Sequence, residues 1–82
     1  MEHKLKILPT YFEEVRLGNK TFELRKNDRP YNIGDILILQ EFDSDGYTKK
    51  ELTREITYIL QGGYYGLDKD YCILGIKEVC CK

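Results

Sequence analysis

Gly18-Asn19-Lys20-Thr21-Phe22-Glu23-Leu24-Arg25 joins a helix stop to a strand within eight residues. Glycine takes the left-handed conformation that ends a helix, and the residues after it alternate at the strand period. That alternation puts Thr21, Glu23 and Arg25 on one face and Phe22 and Leu24 on the other. The aromatic and the leucine are expected to turn into a core, which displays the acid and the arginine on the opposite side. Lys20 stands at the corner where the chain enters the strand. Nowhere else does the chain concentrate so much potential chemistry.

Upstream of this stretch, His3 to Leu8 alternates as a first strand with Leu5 and Ile7 inward. A short helix follows. Pro9 suits its first turn, Thr10-x-x-Glu13 has the form of a capping box, and Leu8, Phe12 and Val15 make one apolar stripe. Downstream, Lys20 to Lys26 forms the second strand, and Asn27-Asp28-Arg29-Pro30 and Asn32-Ile33-Gly34-Asp35 are turns. Ile36 to Phe42 is a third strand, and Asp43-Ser44-Asp45-Gly46 is a hairpin signal. The returning arm is expected from Leu52 to Leu60, with Ile56, Tyr58 and Leu60 on one face. A glycine-rich loop over residues 61–67, with room for one turn of helix, leads to a closing strand from Tyr71 to Val79. About five strands and one helix predict a mainly β, α+β fold, a small, strongly bent sheet or barrel that hides its strand edges.

The chain has 82 residues, enough for one domain and one core. With 41% hydrophobic and 33% charged residues it has the composition of a folded protein rather than a disordered one. The net charge of −1 argues against indiscriminate polyanion binding, yet residues 16–29 carry five cationic and two acidic side chains. Phosphates are contacted by a patch, so this local excess counts for more than the total. The chain has no apolar run near the ~20 residues of a membrane span and no signal-peptide core after Met1, so a cytoplasmic protein is expected. Cys72, Cys80 and Cys81 are odd in number and in no zinc spacing, so no metal is expected. Cys72 fits a core position, and Cys80 and Cys81 fit a tail.

The pattern Gly18-x-Lys20-x-x-Glu23-x-Arg25, followed by Gly34-Asp35-Ile36-Leu37 and Glu41, resembles the activating-signal-cointegrator homology (ASCH) family of PUA-like β-barrels. The opening His3-x-Leu5-Lys6-Ile7-x-Pro9-x-Tyr11-Phe12 and the later Gly62-Gly63-x-x-Gly66-Leu67 are similar to a compact bacterial and phage subgroup of unassigned function. The resemblance runs from His3 to Val79. It implies a barrel with a cleft beside the motif that accepts RNA or a nucleotide. Arg25 would offer a planar fork, Lys20 a point charge, and Glu23 an acceptor or a clamp on the arginine. Lys6 and Arg29 would extend a backbone-tracking surface. Tyr64 or Tyr65 would stack on a base, an interaction worth about 1–3 kcal/mol.

Blander alternatives stand beside each of these roles. Glu23 and Arg25 at i, i+2 also fit a structural ion pair, and the tyrosines fit packing positions. His3 projects with Leu5 and Ile7 and fits a partly buried rim. Some members of the wider family are amidohydrolases acting on acylated cytidine, and another branch is linked to RNA cleavage. In the amidohydrolase branch a threonine stands where this chain has Glu23, which removes the expected nucleophile. The expectation is therefore an RNA-binding module without a cofactor, with a nucleoside- or RNA-acting hydrolase and a protein-interaction module as alternatives.

Overall fold

The computed structural model describes residues 1–79. Its elements run β1 (Glu2–Ile7), α1 (Pro9–Arg16), β2 (Phe22–Lys26), β3 (Ile36–Asp43), β4 (Gly46–Gln61) and β5 (Tyr71–Glu78). The strands form one sheet in the order β1-β3-β4-β5-β2, curled into a half-barrel. β1 pairs parallel with β3, and every other pairing is antiparallel. The first and second strands of the chain are thus the two edges of the sheet. The bent, mainly β fold with a helix after the first strand is the one the sequence pattern predicts.

One core fills the inner side of the curl. Leu5 and Ile7 of β1, Leu37 and Leu39 of β3, Ile56 of β4, and Cys72, Leu74 and Ile76 of β5 meet Phe12 and Val15 of α1 there. Cys72 is fully buried, and burial pushes its thiol pKa up. Cys80 and Cys81 lie outside the described residues.

The helix begins differently from the expectation. Leu8, extended at φ −71° and ψ 149°, is the N-cap, with Pro9 at the first helical position and no side-chain cap. The fixed φ of proline starts the helix there, so Thr10 falls inside the first turn and the capping box does not form. Leu8 is exposed rather than part of the stripe. The other end is as expected. Gly18, at φ +84°, gives its N–H to the Val15 carbonyl at 3.1 Å, and Asn19 gives its own to Glu14 at 3.0 Å. These are the two bonds of a Schellman cap.

Two strands present other faces than expected. β2 starts at Phe22, and it is Glu23 that is buried while Phe22 and Leu24 are about half exposed. The register with β5 pairs Glu23 with Leu74 and Arg25 with Cys72, both core residues, so the charged face of β2 points inward. In β4, Ile56 pairs with Ile76 but Tyr58 pairs with Gly75, leaving Thr57 as an extra residue. Such a bulge reverses the alternation, which turns Tyr58 and Leu60 outward and Ile59 toward the core. β4 also extends back to Gly46, directly after the hairpin turn. The loop after it contains no helical turn.

His3 is buried with its Nε2 2.8 Å from Asp35 Oδ2, and its ring lies 4.8 Å from that of Tyr31. The Asn32 N–H donates to the same carboxyl oxygen at 3.0 Å, so Asp35 ties the turn before β3 to β1.

Candidate functional site

The Schellman cap delivers the chain from α1 to Lys20, and β2 then carries Glu23 and Arg25 along the inner side of a sheet edge. Glu23 is 3% exposed and sits between two cations. Lys20 Nζ donates to Glu23 Oε1 at 2.5 Å, while Arg25 donates to Oε2 through Nε at 3.1 Å and Nη2 at 2.9 Å. A carboxylate out of water needs such partners, and here both oxygens are satisfied. The structural ion pair and the candidate site are therefore the same residues.

The cations are held from a second direction as well. Lys20 Nζ donates to the Phe22 carbonyl at 2.7 Å and lies over the rings of Phe22 (4.8 Å) and Tyr11 (5.6 Å). Arg25 Nη2 donates to the Lys6 carbonyl at 2.5 Å. That bond crosses from β2 to β1, the opposite edge of the sheet, so a side chain bridges the seam where a closed barrel would have backbone pairing. Two of the three Lys20 donors are used, as are three of the five of Arg25. The Arg25 Nη1 group and one Lys20 N–H remain for another acceptor.

A cleft of about 400 Å³ opens along this seam, lined by Lys6, Ile7, Leu8, Tyr11, Lys20, Phe22, Glu23, Leu24 and Arg25. Its walls are apolar and aromatic, its polar groups few and convergent. Lys20 and Arg25 against Glu23 leave an excess of positive charge, while Lys6 lines the cleft with its ammonium over the Phe42 ring, 4.9 Å from the centroid. Such a combination suits a ligand with a flat apolar part and an anionic or acceptor-rich part.

Of the residues singled out from the sequence, Lys6, Lys20, Glu23 and Arg25 come together in this cleft. Arg29 does not line it; it lines a smaller neighbouring hollow of about 120 Å³ with Tyr31, and Arg25 borders both. Tyr64 and Tyr65 are outside the cleft, exposed in the loop after β4, with Tyr65 at φ +54°. Sequence reasoning missed the walls. The sequence pattern places Leu8, Phe22 and Leu24 toward the core, whereas their half-exposed side chains border the opening. Tyr11 carried one usable signal: it lies beside the Phe12–Val15 stripe rather than on it, with Lys20 following at the helix exit.

Among the described residues no three or more His, Cys, Asp or Glu side chains are grouped to hold a metal ion, and no helix is long and apolar enough to cross a membrane.

An uncharacterized 12.9 kDa protein in the GpA 3′ region of Escherichia phage P2 is 40% identical over 55 residues, which cover 67% of this chain. The match spans 50% of that relative's own length. The family model described as "Domain of unknown function (DUF3850)" matches residues 2–76. A match that runs from the start of β1 through all but the last two residues of β5 covers the sheet, the helix and the cleft: the chain belongs to the DUF3850 family.

Proposed function

We propose that the protein is a cytoplasmic nucleic-acid-binding module, with RNA as its ligand, and that the seam cleft is the contact site. The observation that carries this is the convergence of Lys20 and Arg25 with the Tyr11 and Phe22 rings in one opening. Cations beside aromatic faces are what phosphates and unstacked bases require together. Glu23 holds Lys20 and Arg25 in place while leaving donors on each for a phosphate oxygen or a base edge. The motif Gly18-x-Lys20-x-x-Glu23-x-Arg25 adds the resemblance to ASCH domains of the PUA-like superfamily, and we place the chain nearest to that group.

The test is a titration of fluorescent RNA and DNA oligonucleotides at two salt concentrations. Lys20→Ala and Arg25→Ala should each weaken RNA binding by about 1–3 kcal/mol and flatten the salt dependence by about one phosphate contact. Unchanged affinity in both folded variants removes the proposal. Turnover of RNA or acylated cytidine that disappears in Lys20→Ala replaces it with the hydrolase alternative.

A further inference from the structure

The outer side of the sheet carries an apolar strip that begins at Phe22 and Leu24, on the rim of the cleft, and continues beyond it across β5 and β4. Because β2 faces its charges inward and the Thr57 bulge reverses β4, the outward residues of β2, β5 and β4 line up in apolar rows. Leu24, Ile73 and Leu60 make one row. Phe22, Gly75 and Tyr58 make the next, and Tyr71 extends the strip. Phe22 is 46% exposed, Leu24 51%, Tyr58 62%, Leu60 38% and Tyr71 36%. Helix α1 packs on the other side of the sheet, so it leaves this strip uncovered.

We infer that this strip is a homodimer interface, covered by the same strip of a second copy of the chain. At roughly 150–250 Å² per aromatic side chain and somewhat less per leucine, the exposed fractions leave on the order of 450 Å² of apolar surface. A stable interface buries about 800 Å² per partner, of which about 56–65% is apolar, so the strip supplies the apolar core of one standard interface. The edges of the strip carry both signs, with Lys26 at one end and Glu55 paired opposite Lys77 at the other. With a net charge of −1, two copies do not repel one another appreciably. Two sheets stacked on these faces form a sandwich about 10 Å apart.

The experiment is sedimentation equilibrium of the full chain from roughly 5 to 500 μM, the range in which a modest interface of this size reports. The average mass should rise from 9.7 kDa toward twice that value. Tyr58→Glu with Leu60→Glu sets like charges against each other across the interface and should weaken association at least ~10-fold. Tyr58→Lys alone, at an exposed position, should weaken it in the same direction if the double variant folds poorly. Lys50→Glu, on the β3–β4 hairpin, should leave it unchanged. A chain that stays at 9.7 kDa throughout overturns the inference and leaves the strip for a partner of another kind. A dimer indifferent to both Tyr58 variants overturns it equally, because copies would then meet elsewhere.

Discussion

Glu23 and Asp35 are both buried carboxylates, and each is tolerated because nearby donors replace the water it has lost. Glu23 takes its donors from two cations on its own stretch of chain, whereas Asp35 takes them from His3 and from the Asn32 N–H. The hydrogen bond from His3 is the main influence holding the Asp35 pKa below its ordinary 3.8; burial opposes it, and the Asn32 N–H adds to it. A carboxyl group whose pKa is lower folded than unfolded contributes stability that is complete above the unfolded value and is lost as pH falls through the folded one. Asp35 should therefore lose its contribution to the fold in solutions more acid than about pH 4. In urea unfolding, the stability gap between wild type and Asp35→Asn should shrink below about pH 4. A gap that widens over that acid range would contradict the role given to the carboxylate.

Among the elements, the turns respond differently to a methyl group. Gly18 has open space where a Cβ would stand but holds φ +84°, so Gly18→Ala meets only backbone strain and should cost about 1 kcal/mol. At Gly62 a Cβ would sit 1.9 Å from the Asp68 carbonyl oxygen and 2.4 Å from that of Tyr71, both backbone atoms. Gly62→Ala should cost more than Gly18→Ala, about 2 kcal/mol or above, because the 62–71 loop must move as a unit. Thermal melts of the two variants give the order directly. The elements also mark how far the sequence could be read. Helix α1, its glycine stop, the Asp43–Gly46 hairpin and the inward residues of β1, β3 and β5 follow from period and turn chemistry, which are local. The faces of β2 and of the second half of β4 do not. Alternation in Phe22-Glu23-Leu24-Arg25 fits either face, and the choice is made by pairing with Leu74 and Cys72, some fifty residues away. The extra residue at Thr57 has no signature in the sequence, being neither glycine nor proline. Lys20, Glu23 and Arg25 were legible as a site because they are close in sequence; Leu8 and Tyr11 reach the same cleft only through the fold.

As a whole molecule, the protein assembles strands that are distant in the chain. β1 waits for β3, about 34 residues on, and β2 waits for β5, about 50 residues on. Non-local pairing of this kind slows folding, so refolding by stopped-flow dilution from urea should take milliseconds to seconds rather than microseconds. Completion within tens of microseconds would mean that the sheet forms by some more local route. The bond from Arg25 to the Lys6 carbonyl acquires a mechanical meaning in this setting. Strands joined by backbone ladders behave as a stiff shell, but two free edges bridged through a side chain behave as a clasp. The curl of such a shell has a compliant direction, in which the gap between β1 and β2 widens as the sheet uncurls. A ligand held in the gap as proposed above would act as a shim and set how far the shell uncurls.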